Sequence, residues 1–305
     1  MLGTLSRKTP RDFLWPKMMV CHGVVGDWRL SDGDFMASFR LPAAADKHDI
    51  LRGRHPFPNE ERLTFDEVSH TYTFDGVVVP TSVTTLVHRY CGGFDPLRAL
   101  AVMKSRESWI WKQQQFIGDD GEVADDAEII EQWAHNGEVQ RSRGTLLHYH
   151  AEQYLNGRAI EEPHSPEFQQ LVSLYNSTIA GKMAVLRTEV PMYHAGLEVA
   201  GQADCLCVDD DGGIVIWDWK RVARLRMDGN QQMLAPLQHM TDCRYHHYCL
   251  QLNIYRFILE SSEYGFSVSR MMLGIVHPDR DGPACLELPR LEREIELIVQ
   301  HARSR

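Results

Sequence analysis

The 305-residue sequence contains no run of about 18 uncharged apolar residues, which excludes a membrane-spanning helix. It has no Cys-x-x-Cys pair, so a zinc ribbon is not expected. No internal repeat and no low-complexity tract interrupts it. A basic excess is missing too: 32 Lys and Arg stand against 42 Asp and Glu, a formal net charge of -10. Taken alone, that balance argues against a nucleic-acid partner, because phosphate binding is driven largely by Lys and Arg. The first 20 residues carry Arg7, Lys8, Arg11 and Lys17 against Asp12 but lack the apolar core of a secretory signal. A loosely packed extension or a mitochondrial presequence fits them.

What remains is ordinary globular composition, 43% hydrophobic and 24% charged, long enough for a sizeable core without disulfide or metal staples. The seven cysteines (21, 91, 205, 207, 243, 249 and 285) are odd in number. Cys205 and Cys207 are too close in sequence for an ordinary bridge. A reducing intracellular compartment is the expectation.

Residues 1–60 lack periodicity and end in Arg-His-Pro-Phe-Pro-Asn, which suits a linker. Over 63–80 two β-prone runs flank Asp75-Gly76, a hairpin turn signal, and Thr81 or Ser82 then offers a helix cap. Eight acidic residues between Asp119 and Glu138, with no Lys or Arg, predict a solvated loop leading into a helix over 127–136. A second helix is expected over 141–155, ending at Asn156-Gly157, and a third from Ser165-Pro166. Three strands follow, over 185–193, 198–208 and 213–220, the last two joined by Asp209-Asp-Asp-Gly-Gly213. Ile214-Val-Ile-Trp217, apolar on both faces, reads as a central strand. A helix over 245–262, a strand over 270–276 and a helix over 291–302 complete the chain.

Candidate chemistry gathers on these elements. Asp218 and Lys220 project from one face of their strand, and an antiparallel neighbour can bring Asp204 beside Asp218. Two carboxylates and an ammonium at a buried strand end are costly unless they pair or bind a cation. Oxygen ligands with room for water and phosphate suit Mg²⁺. His148 and Glu152 share a helix face, as do Gln251 and Tyr255, and Glu189 sits in an otherwise apolar strand.

In this order, Gly144/His148/Glu152, Glu189, Gly201/Asp204, Asp218/Lys220 and Gln251/Tyr255 resemble the motifs of the PD-(D/E)XK nuclease superfamily, in its RecB-like exonuclease branch. The hairpin and Pro80-Thr-Ser-Val-Thr84 are similar to the opening segment of mitochondrial genome maintenance exonucleases and their phage and viral relatives. The resemblance spans about residues 63–276. It implies a restriction-endonuclease-like α/β fold, an αβββαβ core with a mixed central sheet flanked by helices, preceded by a hairpin and helical extension. Residues 61–305 would form the nuclease domain, with a lead-in segment over 63–140, the catalytic core over 141–276 and a C-terminal helix over 277–305.

The resemblance further implies that Asp204, Asp218, the Trp219 backbone carbonyl and His148 hold one Mg²⁺ or Mn²⁺. Lys220 would orient the attacking water and offset charge in the transition state, with Glu189 tuning the site. Gln251 and Tyr255 would hold the DNA backbone, with Arg221, Arg224 and Arg226 neutralising neighbouring phosphates. Some relatives hold an iron–sulfur cluster, but Cys91, Cys243, Cys249 and Cys285 depart from that spacing, so none is expected. Trp217 and Trp219 are expected in the core; Tyr245 and Tyr248 are candidates to stack bases of an unpaired strand.

The expected activity is thus metal-dependent hydrolysis of DNA, by an exonuclease acting on single-stranded or free ends. A catalytically silent DNA-binding module, an endonuclease of the same superfamily and an unrelated interaction protein are the competing readings. Eight of the ten net negative charges lie between Asp119 and Glu138, whereas Lys220–Arg226 holds four positive charges and no negative one. The overall acidity therefore describes one segment rather than the candidate site.

Overall fold

The computed structural model describes residues 31, 32, 36, 50–66, 69–118, 120–160, 163–261 and 263–304. Apart from Ser31, Asp32 and Met36, residues 1–49 of the extension expected over 1–60 lie outside the described residues. Helix α1 (Ile50–Arg54) leads into an antiparallel sheet of β1 (Leu63–Asp66), β2 (Thr71–Phe74) and β3 (Val77–Val78). At the β2–β3 turn, Asp75 and Gly76 both take positive φ, +50° and +77°. Two-residue hairpins need that conformation, and an Asp-Gly pair supplies it. After β4 (Thr81–Ser82) comes α2 (Val83–His88), capped as expected: Ser82 Oγ accepts the Thr85 N–H at 3.0 Å.

Helices α3 (Pro96–Lys104) and α4 (Trp109–Lys112) precede α5 (Asp126–Leu155), a single helix of 30 residues. Here the expectation of two helices fails. Gly137 costs a helix only about 1 kcal/mol, and buried Ile129, Val139 and Leu146 carry the apolar stripe across the expected break. Asp125 and Glu128 close a reciprocal capping box at the start. Helix α6 (Pro166–Thr178) begins at Ser165, whose Oγ accepts the Phe168 N–H.

Strands β5 (Ala184–His194), β6 (Val199–Val208) and β7 (Ile214–Arg221) follow, then α7 (Arg244–Glu260), β8 (Val268–Val276), β9 (Ala284–Glu287) and α8 (Glu292–Arg303). The main sheet is mixed: β5 and β7 run antiparallel to β6, β8 parallel to β7, and β9 antiparallel to β8. Helices cover both faces. In β7, Ile214 and Ile216 pack towards α2, α7 and α8, while Val215, Trp217 and Trp219 pack towards α5 and α6. Two buried layers at about 25 cal/mol per Å² are the main driving force for this α/β sandwich.

Residues 50–60 are tied to the sheet. Leu51 and Phe57 are buried. Arg187 of β5, 1% exposed, donates to His55 O at 2.8 Å and grips Glu60 through both terminal nitrogens. Prolines in this stretch shape a docked segment. Among the described residues, no helix is long and apolar enough to cross a membrane, and cysteines 91, 205, 207, 243, 249 and 285 are free. Cys205 and Cys207 sulfurs lie 3.8 Å apart, unbonded.

Candidate active site

Strand β5 covers one edge of β6 from end to end, so β4 and β7 must share the other. Strand β4 pairs with Val199 and Ala200, and β7 with Cys205–Val208. Residues 201–204 between them lack a strand partner on that edge. The Asp204 side chain fills the break: its Oδ2 accepts the Trp219 N–H at 2.7 Å, taking the place of a ladder bond.

This divergence of strands assembles the carboxylates. Continuing the Cys205–Trp217 register by one step sets Asp204 opposite Asp218. On the other side, Thr188–Cys205 and Val190–Ala203 bracket Glu189 opposite Asp204. Three carboxylates therefore stand abreast on three adjacent strands, an arrangement that like charges disfavour. Glu189 adds a strained backbone, with φ at +44° in mid-strand. A non-glycine residue held there costs about 1–3 kcal/mol, and such strain gathers at functional sites. Its Oε2 accepts from the Gln202 amide.

Helix α5 brings His148 to the row. Its Nε2 lies 2.9 Å from the Trp219 carbonyl, which can only accept, so Nε2 carries the proton. Nδ1 faces Asp204 Oδ1 at 3.6 Å and Glu189 Oε1 at 4.0 Å. These three side chains could together ligate a metal ion. Asp218 lies 2.7 Å from Lys220 Nζ through Oδ2, while its buried Oδ1 accepts no hydrogen bond. An orphaned carboxylate oxygen beside two more carboxylates and an imidazole nitrogen fits a divalent cation of the Mg²⁺ or Mn²⁺ kind.

Electrostatics agree with the geometry. Burial pushes the Asp218 carboxyl up to about 6; Lys220 pulls it down and Asp204 pushes it further up. Burial also raises Asp204, opposed by Lys220 and the Trp219 N–H. For Lys220, burial lowers the ammonium's pKa, but Asp218 and Asp204 outweigh it and hold it above its ordinary value. In the metal-free site Lys220 therefore stays cationic at neutral pH. Its Nζ sits 5.4 Å from the Tyr248 ring centroid, within cation–π range. Beside it opens a cleft of about 320 Å³ lined by Thr84, His88, Arg244, His247, Tyr248 and Gln251.

Some expected roles change. Tyr255 is buried, so it cannot itself touch a DNA backbone; its hydroxyl takes the Gln251 amide at 3.0 Å and sets that side chain at the cleft. Gly201 is required beneath it, since a Cβ there would lie 2.7 Å from both Tyr255 Cε1 and Val83 Cγ2. Arg221 is not free for phosphate. Its Nε binds Glu167 at 2.8 Å and its Nη1 binds Gln140, joining β7 to α5 and α6. Alternation explains this: Lys220 faces the cleft, so Arg221 faces away. Arg224 and Arg226 are exposed on the following loop. Glu152 is buried on α5 one turn beyond His148. Trp217 and Trp219 stack in the core, centroids 5.3 Å apart, as expected. Tyr245 and Tyr248 are partly buried.

Gln202, which holds Glu189, is not among the residues expected from the sequence. The signal was its alternation with Asp204, which puts both on one face of β6.

No family model and no curated protein matches the chain. Among solved structures, the crystal structure of SSO0001 is similar over 72% of this chain and 73% of that one. The identity is 16% and the TM-score 0.28, a degree of overlap that leaves the site to be read from its own geometry.

Proposed function

We propose that the chain is a divalent-metal-dependent nuclease of the PD-(D/E)XK type, hydrolysing DNA phosphodiester bonds as an exonuclease of the RecB-like branch. The observation that carries this reading is the row of Glu189, Asp204 and Asp218, with His148 Nδ1 above it and cationic Lys220 at its end. Such a cluster is disfavoured without a cation and suited to one.

Asp204, Asp218, Glu189 and His148 Nδ1 would hold the ion, with the Trp219 carbonyl oriented alongside by the His148 N–H. When bound, Mg²⁺ or Mn²⁺ supplies Lewis-acid polarisation of the phosphoryl group and makes water more acidic. Lys220, fixed by Asp218 and the Tyr248 face, orients the attacking water and offsets negative charge that grows on the phosphoryl oxygens. Gln251, held by Tyr255, donates to a backbone phosphate, and exposed Arg224 and Arg226 neutralise its neighbours. The DNA strand would lie along the cleft beside Tyr248, with a free or single-stranded end favoured by the family resemblance.

The test is digestion of labelled linear and closed circular DNA, single- and double-stranded, with Mg²⁺, Mn²⁺ or EDTA. Metal-dependent loss of linear substrate, abolished in folded Lys220→Ala and Asp218→Asn, is expected. Undiminished cleavage by both variants would defeat the assignment, and cutting of the circle would make the enzyme an endonuclease.

A further inference from the structure

A second group of side chains converges on His247, which lines the same cleft. Cys91 closes the turn after α2, Asp242 precedes α7, and His247 lies near the start of α7. His247 Nε2 is 3.2 Å from Cys91 Sγ and 2.5 Å from Asp242 Oδ1. One ligand atom from each lies within 4.8 Å of the other two. The remaining carboxylate oxygen, Asp242 Oδ2, accepts the Gly92 N–H at 2.7 Å. That bond fixes the carboxylate and leaves Oδ1 turned inward, as outer partners of metal ligands do.

Cysteine, histidine and aspartate together serve two chemistries. In a nucleophile triad the imidazole is a relay, one ring nitrogen on the thiol and the other on the carboxylate. Here a single nitrogen faces both, so no relay exists. Sulfur, nitrogen and oxygen crowding one region is instead the layout of a coordination sphere. Tetrahedral Zn²⁺ with bonds of about 2.3 Å to sulfur and about 2.0 Å to nitrogen or oxygen sets S···N near ~3.6 Å and N···O near ~3.3 Å. The two separations that His247 Nε2 makes, 3.2 Å to sulfur and 2.5 Å to oxygen, each open by less than about 1 Å to reach them. Thiolate with imidazole selects Zn²⁺ over Mg²⁺.

We propose that Cys91 Sγ, Asp242 Oδ1 and His247 Nε2 bind one Zn²⁺, separate from the carboxylate row, clamping the turn after α2 to the start of α7. On binding, the thiol proton leaves to solvent as the zinc–sulfur bond forms, and the proton that His247 Nε2 shares with Asp242 Oδ1 is displaced, the neutral ring carrying its hydrogen on Nδ1. The fourth position faces the cleft and takes water or exposed His88, whose ring centroid is 6.4 Å from that of His247. The clamp steadies the start of the helix that presents Tyr248 and Gln251.

The experiment strips the full chain with a chelator and titrates it with Co²⁺, then Zn²⁺. One equivalent of Co²⁺ should produce a thiolate-to-cobalt charge-transfer band that Zn²⁺ bleaches and Mg²⁺ does not. Cys91→Ser should abolish the band, whereas Cys285→Ser and Asp218→Asn should keep it. A band that persists in Cys91→Ser overturns the proposal. So does a parent protein that yields no such band, a result independent of whether any variant folds. Retention of the Zn²⁺ site in Asp218→Asn also separates it from the nuclease reading, which can fail by itself.

Discussion

Replacing Asp218 by asparagine should stabilise the metal-free protein while removing the proposed nuclease activity. Asp218 is 1% exposed, and its carboxyl is pushed from 3.8 up to about 6, mainly by burial. An acid whose folded pKa lies above its unfolded one costs the folded state nothing at low pH, where both states hold the proton. The cost grows between 3.8 and about 6 and is complete above that. About two pKa units at ~1.4 kcal/mol each give about 3 kcal/mol at pH 8. Asparagine keeps the shape but cannot ionise. Asp218→Asn should therefore gain up to about 3 kcal/mol in EDTA at pH 8, several degrees in Tm for a domain of this size, and little at pH 4. Saturating Mg²⁺ should narrow the gap, since a bound cation stabilises the parent's carboxylates. Urea and thermal unfolding at pH 4, 6 and 8 measure this. A variant less stable than the parent at pH 8, or an advantage that does not shrink towards pH 4, would refute the electrostatic account.

Glu60→Ala removes the carboxylate that pairs with the buried Arg187 guanidinium and should cost about 3–5 kcal/mol in urea unfolding; a change under 1 kcal/mol would mean that residues 50–60 do not anchor the sheet. Gly201→Ala drives a methyl into Tyr255 and Val83, so a loss of about 1–3 kcal/mol with reduced DNA affinity is expected, and an unaffected variant would count against Tyr255 as the support of Gln251. Arg224→Gln and Arg226→Gln should each flatten the salt dependence of DNA binding by about one phosphate contact, whereas Arg221→Gln should lower stability and leave that slope alone. Burial lowers the His150 pKa to about 4, opposed by Glu167. Its contribution is intact above 6.5 and lost as pH falls towards 4, up to about 3 kcal/mol, and His150→Leu should remove that part of the acid sensitivity.

Where local signals were strong, sequence and structure coincide. Asp75-Gly76, Ser82, Ser165 and the alternation through Asp218 and Lys220 each report a short-range constraint, and each element lies within a few residues of its expected bounds. The pairing of Asp204 with Asp218 was legible too, because a tight turn fixes the register of its two strands. The merger of two expected helices into α5 was not, since whether one glycine breaks a helix depends on what packs beside it. Strands β4 and β9 are too short to show periodicity and exist through their neighbours. The role of Arg221 was misread although alternation already placed it opposite Lys220. Helix α3 was overlooked despite its Asp95 cap and Pro96.

Helix α5 is about 45 Å long at ~1.5 Å per residue, and its ends stand in different cores. Near its start, Ile129 and Trp133 pack with Leu100, Trp109 and Phe116; further along, Leu147 and Ala151 join the layer under the sheet. The helix is therefore a strut, with His148 some 19 residues from Ile129, or about 28 Å. A pivot of about 5° at Ile129 would swing the imidazole by roughly 2–3 Å over that span, far beyond the ~0.2 Å that a metal bond tolerates. Leu147 and Ala151, packed into the core beside His148, resist that swing, so alignment of the proposed site rests on the core under the sheet while the aromatic cluster secures the far end of the strut.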